Sequence, residues 1–141
     1  MKKMNNKGFS LVELIIVIAI MAVLIAVLAP QYLKYVEKSR VSADGQTADE
    51  FYGAFQVIAS DPDVNLDTAK TYSANSDANG NITISGDAKT ALADVMDTAA
   101  TYKYKSNTFK NVSGGVKIEL KWDGTAKMWK IDHNIPTKSG S

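Results

Sequence analysis

A single carboxylate, Glu13, lies inside an otherwise apolar run of 21 residues at positions 9–29. Ser10 is the other residue of this run that is not apolar. Because an ionised carboxylate is costly in hydrocarbon, a glutamate at such a position requires a partner. We therefore interpret Glu13 as a functional residue. The alternative is that its side chain extends to the membrane interface near the end of the run.

Two stretches rich in Asp and Asn have the alternating oxygen ligands of calcium loops. Asn75, Asp77 and Asn79 match the early positions of an EF-hand-type loop, and residues 61–67 carry Asp or Asn at every second position. Neither stretch has the closing carboxylate, since Gly86 occupies the final position of the first loop. Asx-rich turns explain both more simply. We expect no cofactor and no metal, with the first loop as a secondary calcium candidate.

The composition offers little for catalysis. The chain of 141 residues has no cysteine and a single histidine, His133. Disulfides, thiolate or histidine metal sites and cysteine nucleophiles are therefore excluded. A formal charge of +1 argues against a nucleic-acid binder that works by overall basicity. We expect that the protein is not an enzyme.

The apolar run itself predicts a membrane-inserted helix. Twenty-one helical residues span about 31 Å, which matches the hydrocarbon thickness of a bilayer. Lysines precede the run and basic residues also follow it, so the positive-inside rule places the N-terminus in the cytoplasm with only a small charge bias. These residues are Lys2, Lys3 and Lys7 before the run, and Lys34, Lys38 and Arg40 after it. The run is too long for an ordinary cleavable signal peptide.

The N-terminus of type IV pilins and related pseudopilins resembles residues 7–40 of this chain, KGFSLVELIIVIAIMAVLIAVLAPQYLKYVEKSR. The shared pattern is a short basic leader that ends in Gly8, Phe9 as the first mature residue, Glu13 as the fifth, a long aliphatic helix and Pro30. The absence of cysteine makes the chain more similar to Gram-positive, clostridial-type major pilins than to the disulfide-bonded Gram-negative group.

The resemblance implies that prepilin peptidase cleaves between Gly8 and Phe9 and that the new amino group is methylated. It also implies that Glu13 pairs with the Phe9 amine of a neighbouring subunit. A separation of four residues, about 6 Å along a helix axis, permits this pairing without establishing it. Local loosening of the helix during assembly would depend on Pro30.

The partners that the resemblance implies are other copies of the chain in a helical homopolymer and minor pilins. The resemblance also implies three further partners: prepilin peptidase, an inner-membrane platform protein and an assembly ATPase. Before assembly, the chain would lie in the membrane.

The expected fold is α+β: a long N-terminal helix, half transmembrane and half amphipathic, packed against a small antiparallel sheet. Four regions are expected: a leader at 1–8, the apolar helix at 9–29, the amphipathic helix at 30–59 and a globular head at 60–141. Within the head we predict a loop at 60–80, a strand at 81–85, a helix at 87–100 with Asp87 as N-cap, strands at 101–105, 116–122 and 127–133, and a loose tail at 136–141. The last two strands form a hairpin.

The core of the head is expected where the outer half of the helix meets the sheet. The helix should contribute Phe51, Tyr52, Phe55 and Ile58. The sheet should contribute Ile118, Leu120, Trp122, either Met128 or Trp129, and Ile131.

Charge is segregated along the chain. Residues 41–100 hold two lysines against ten acidic residues, net −8, whereas residues 101–141 hold eight lysines against three acidic residues, net +5. The two regions could form complementary faces between subunits, or they could neutralise each other within one head. The basic C-terminal region also contains aromatic residues, but lysines that alternate along a strand usually form its solvated face, so nucleic acid is not an expected partner.

These observations favour a structural subunit of a type IV pilus, anchored in the membrane as a precursor and extracellular after assembly, with a role in adhesion, motility or biofilm formation. A pseudopilin of a type II secretion or competence system is the alternative within the family. A monomeric membrane-anchored surface binding module is the alternative from another class.

Overall fold

The computed structural model describes residues 8–137. The predicted leader, apart from Gly8, and most of the predicted loose tail lie outside the described residues. The chain divides into two compact units, Met1–Val36 and Glu37–Ser141.

The first unit contains the N-terminal part of helix α1, which runs over Leu11–Ser60 and includes Pro30. An 18-residue window of this helix has a mean hydropathy of 3.2 and no buried residue. Within the described residues, α1 is the one helix long and apolar enough to cross a membrane. The predicted continuation of the helix beyond Pro30 is confirmed, and its end lies one residue past the expected Ala59.

The second unit holds the outer part of α1 and a four-stranded sheet. The remaining elements are β1 (Tyr72–Ser76), β2 (Ile82–Ile84), α2 (Gly86–Leu92), α3 (Asn107–Lys110), β3 (Lys117–Asp123) and β4 (Met128–His133). The strand order is β2-β1-β3-β4, and every pairing is antiparallel. This architecture confirms the predicted α+β class.

The core of the second unit joins α1 to the inner face of the sheet. Phe51, Phe55 and Ile58 are fully buried, as their helical spacing predicted, whereas Tyr52 is half-buried and its ring lies against that of His133. On the sheet, Ile118 and Leu120 are buried, whereas Trp122, Trp129 and Ile131 are partly buried. Of the two alternatives at the start of β4, Trp129 packs against the core and Met128 is exposed.

The predicted loop at 60–80 contains a central strand, so this expectation is wrong for residues 72–76. Strand β1 lies between β2 and β3 and pairs with both. Its buried side chains, Tyr72, Ala74 and Ser76, alternate with partly buried ones. Because two of the three are small or polar, the strand lacks the hydrophobic signal from which it could be recognised.

The predicted helix at 87–100 is much shorter, and its cap is different. Helix α2 ends at Leu92, and the Oγ of Ser85, rather than Asp87, accepts the capping hydrogen bond from the amide of Ala88. Asp87 lies in the first helical turn, where a carboxylate favourably faces the positive end of the helix dipole. Beyond the helix, Asp97 accepts hydrogen bonds from the amides of Ala99 and Ala100, which stabilises a turn.

The predicted strand at 101–105 does not form. A single isolated bridge pairs Lys103 with Asn81. The amide of Tyr104 donates to the carbonyl of Gly80 at 2.8 Å, but the amide of Lys105 donates to a side chain instead of a neighbouring strand. The short helix α3 follows, and no helix was expected there.

The predicted C-terminal hairpin is confirmed by the pairing of β3 with β4. Asp123 pairs with Met128 across the turn, so β3 ends one residue after the expected position 122. The carboxylate of Asp123 accepts hydrogen bonds from the amides of Thr125 and Ala126 and forms an ion pair with Lys130. The hydrogen bond from Lys130, with those of the two amides, lowers the pKa of Asp123 to about 2.

Gly115 allows the loop before β3 to approach the end of β1. Its φ is +78°, and a Cβ there would lie 1.8 Å from the carbonyl oxygen of Ser76. The Oγ of Ser76 also accepts a hydrogen bond from the amide of Val116 at 2.8 Å. The close backbone contact therefore excludes any side chain at this position.

We expect Gly115→Ala to destabilise the second unit by about 2–4 kcal/mol, because positive φ and backbone overlap both oppose it. Gly124→Ala is the matched control, since no heavy atom lies within 4 Å of its Cβ position. Denaturant unfolding of the detergent-solubilised chain, followed by tryptophan fluorescence, measures the difference. Equal stability of the two variants would contradict the close contact.

Candidate functional site

Glu13 and Ser10 form a reciprocal capping box at the start of α1. The amide of Ser10 donates to Oε2 of Glu13 at 2.9 Å, and the amide of Glu13 donates to Oγ of Ser10 at 3.2 Å. Each side chain thus satisfies a backbone donor that the helix itself cannot satisfy. Glu13 is therefore engaged within its own chain as well as being the candidate for an intermolecular contact.

The capping box fixes the position of the Glu13 carboxylate at the positive end of the helix dipole, where negative charge is favoured. One carboxylate oxygen receives the Ser10 amide, and an ionised carboxylate offers about four lone-pair sites. The group can accordingly accept a second donor without giving up the first. The sequence analysis missed this interaction, although the Ser-x-x-Glu signature of residues 10–13 is visible in the sequence.

Gly8 and Phe9 precede the first helical residue, Leu11. Phe9 is 83% exposed, and within residues 8–137 no heavy atom beyond the adjacent residue lies within 4 Å of the Cβ position of Gly8. The peptide bond between them therefore lies in non-helical chain, next to a position without a side chain. This arrangement is compatible with access by a peptidase.

The first unit presents a continuous apolar surface. Every large aliphatic side chain between Leu11 and Leu28 is at least 46% exposed. Surfaces of this extent mark sites of contact with lipid or with other proteins. Pro30 follows this surface, and because proline has no amide hydrogen it removes one helical hydrogen bond from α1.

In the second unit, Asp44 joins α1 to the segment that leads into α3. Asp44 is only 2% exposed, and both of its carboxylate oxygens accept a hydrogen bond from the amide of Lys105, at 2.9 and 3.0 Å. Oδ2 also accepts from the amide and the hydroxyl of Ser106, at 2.7 and 2.6 Å. These charge-assisted bonds satisfy a buried carboxylate without any lysine or arginine side chain.

Glu37, two helical turns before Asp44, contacts the same segment. Its Oε1 accepts from the amides of Asn107 and Thr108 at 2.7 and 3.2 Å. The Oγ of Ser106 in turn accepts from the amide of Phe109 and caps α3. Two carboxylates of one helix thus fix a remote loop, a role that a disulfide could otherwise perform.

The aromatic residues of this segment complete its attachment. Phe109 is fully buried, and its ring centroid lies 4.8 Å from that of Tyr104. Burial, with a smaller contribution from the Asp44 carboxylate, raises the pKa of Tyr104. Tyr104 is therefore neutral and part of the core, and it is not available for stacking on a nucleic-acid base.

The calcium candidates do not converge on a cation site. Asn75 belongs to β1, while Asp77 accepts hydrogen bonds from the amides of Asn79 and Asn81 and from the side chain of Asn81. The side-chain hydrogen bond from Asn81 is the main reason that the pKa of Asp77 is below its usual value. Among the described residues, no three carboxylates or histidines are grouped as metal ligands. This geometry is that of an Asx turn and gives no support for a calcium proposal.

The other aromatic residues lie around β4. The ring centroid of Trp129 is 5.5 Å from that of Trp122 and 5.8 Å from that of Tyr72. Shallow grooves of about 370 and 440 Å³ border Trp129 near the end of α1. The indole rings are partly buried against one another, so they stabilise the sheet rather than form a flat binding platform.

We expect Asp44→Ala to destabilise the second unit by about 3 kcal/mol or more, because three donors lose their partner in a buried site. Asp94→Asn, on an exposed turn, should change stability by less than about 0.5 kcal/mol. Denaturant unfolding and the rate of proteolysis within residues 105–110 measure both effects. Wild-type protease resistance in Asp44→Ala would contradict the role assigned to this carboxylate.

Comparison with known proteins finds similarity in the N-terminal part of the chain. Residues 3–29 match the family described as "Prokaryotic N-terminal methylation motif". Type IV major fimbrial protein FimA of Dichelobacter nodosus is 50% identical over 40 residues, which cover 28% of this chain and 26% of that protein. Fimbrial protein EcpC of Eikenella corrodens is 42% identical over 64 residues, 45% of this chain and 42% of that protein.

The chain thus spans about a quarter of the length of FimA and less than half of EcpC in these matches. No solved structure matches it. The motif at residues 3–29 includes the start of α1, and the packing of the later part of this helix against a small antiparallel sheet is a second observation. In its N-terminal motif the chain is similar to type IV fimbrial proteins, and its long helix packed against a small antiparallel sheet is consistent with the type IV pilin fold.

Proposed function

We propose that this chain is the structural subunit of a type IV pilus, which polymerises through the apolar part of α1 into a surface filament. The observation that carries the proposal is the exposure of residues 11–28 together with a charged capping box at residues 10–13. The similarity to fimbrial proteins FimA and EcpC supports it.

In this proposal the precursor is anchored in the cell membrane by residues 9–29, with its N-terminus in the cytoplasm. Prepilin peptidase cleaves between Gly8 and Phe9, and the new amino group of Phe9 is methylated. The exposure of both residues and their position outside the helix support access to this bond. Cleavage creates a positive charge four residues before Glu13, next to the start of the helix.

Glu13 then selects the register of neighbouring subunits. An axial displacement of about 6 Å places the Glu13 carboxylate of one copy beside the Phe9 amine of another. Leaving either charge unpaired in an apolar core costs about 3–5 kcal/mol, so other registers are disfavoured. The hydrogen bond from the Ser10 amide orients the carboxylate in advance and leaves lone pairs for the incoming amine.

Assembly moves the apolar helix from lipid into a core made of identical helices. Because both environments are apolar, close packing and the charge pair have to provide the specificity. Pro30 supplies the point at which the helix can loosen as neighbouring copies pack. Minor pilins, a platform protein and an assembly ATPase would drive extraction, and the extracellular fibre would serve adhesion, motility or biofilm formation.

The proposed processing predicts a defined N-terminus for the assembled protein. The N-terminal peptide of sheared fibres should begin with methylated Phe9 in mass spectrometry.

Glu13→Gln should lower fibre yield at least about tenfold, because it removes the charge, whereas glutamine at this position still serves in a capping box. Ser10→Ala, which weakens the box but keeps the charge, should reduce fibre yield much less.

Five outcomes would contradict the proposal. An intact Met1, or cleavage near Ala29, would exclude the pilin class of processing. Unchanged fibre yield in Glu13→Gln would exclude the pairing. Processed protein that forms only short assemblies beneath the cell surface would indicate a pseudopilin, and a stable monomer would indicate a membrane-anchored binding module.

A further inference from the structure

The loop after α1 forms an acidic end of the second unit. Asp61, Asp63 and Asp67 are exposed and lie within seven residues of one another. The nearest lysine in the sequence, Lys70, forms an ion pair with Asp87 at 2.8 Å. The hydrogen bond from Lys70 to Asp87, with a smaller contribution from the charge of Asp67, raises the pKa of Lys70. Lys130, which borders a groove beside Ser60 at the end of α1, is paired with Asp123.

The segment held by Asp44 and Glu37 forms a basic end. Lys103 and Lys105 are exposed on one side of this segment, because the intervening Tyr104 is buried. Lys110, at the end of α3, is half-buried. The two carboxylates of α1 bind backbone amides of this segment, so they fix its position without forming ion pairs with its lysines.

The two ends are far apart along α1. Asp44, which binds the amide of Lys105, precedes Asp61 by 17 residues. At about 1.5 Å per residue this separation is about 25 Å, since α1 is helical to Ser60. Salt screens exposed charges beyond about 8–10 Å at physiological ionic strength. The acidic group at 61–67 and the basic group at 103–110 therefore do not neutralise each other within one subunit. Within the subunit, Lys103 acts instead on the nearer carboxylate of Asp77.

We propose that the acidic end, Asp61, Asp63 and Asp67, docks on the basic end, Lys103, Lys105 and Lys110, of a second copy of this chain. The inference rests on the proposed filament. Because each copy carries both ends on opposite sides, the contact is heterologous and repeats without closing into a ring. When a second copy is displaced along α1 by about the 25 Å that separates the two ends, its basic end faces the acidic end of the first copy.

This contact is distinct from the Glu13–Phe9 pair, which lies in the first unit and joins apolar helices. The second contact joins solvated surfaces, so it is sensitive to salt, whereas the pair in the apolar core is screened much less. The second copy is favoured as the partner because the complementary charges are present on the chain itself.

The absence of native cysteine allows a direct test by cross-linking. Asp63→Cys and Lys105→Cys are combined in the full-length chain, and sheared fibres are treated with a bis-maleimide reagent too short to join the two ends of one subunit. The expected product is a ladder of covalent multimers in denaturing gels. The same treatment of Asp63→Cys combined with Thr125→Cys, at the hairpin turn, should give monomers.

A charge exchange provides the second measurement. Asp63→Lys and Lys105→Glu should each lower fibre yield about tenfold at low salt, and the two together should restore most of it. Lys89→Glu, an exposed lysine on α2, is the control and should leave the yield unchanged. Thermal unfolding of each variant verifies that its head is folded.

Fibres that form normally but give no ladder, or single reversals without effect, would overturn this contact and leave the proposed function intact. Reversals that weaken assembly without mutual rescue would also overturn it. Failure of the wild-type chain to form fibres would instead contradict the proposed function.

Discussion

The exposed apolar surface of residues 11–28 is the constraint on which the rest of the protein depends. Aliphatic side chains cover this part of α1 on all sides, and none of its most apolar 18-residue window is buried. Such a helix requires lipid or other apolar helices around it. Because exchanging one apolar environment for another changes the free energy little, the few polar groups on or near the helix determine which arrangement forms.

Carboxylates that accept backbone amide hydrogens recur as the means of organisation. Glu13 does so at the start of α1, whereas Asp44 and Glu37 do so for a loop more than 60 residues away in the sequence. Charge-assisted hydrogen bonds of this kind are directional and strong, and they substitute for covalent linkage in a chain without cysteine. They also leave the neighbouring lysines free to face solvent or another subunit.

The parts of the structure that were predictable are those with a local hydrophobic pattern. The spacing of Phe51, Phe55 and Ile58 predicted the buried face of α1, and the alternation around Ile118 and Leu120 predicted the hairpin. Strand β1 escaped prediction because its buried face is largely small or polar. The role of Asp44 could not be predicted from adjacent residues, since its partners are 61 and 62 residues away in the sequence. The Ser10–Glu13 capping box, in contrast, was predictable from its local sequence. The processing site and the pairing of Glu13 remain predictions.

A high-resolution reconstruction of the proposed fibres by electron cryomicroscopy tests most directly how the apolar helices are arranged. In the proposed filament, residues 9–29 of neighbouring copies pack together along the fibre axis, with the Glu13 carboxylate within about 4 Å of the Phe9 nitrogen of an adjacent subunit. A fibre in which these helices do not contact one another, or in which Glu13 faces water, would contradict it.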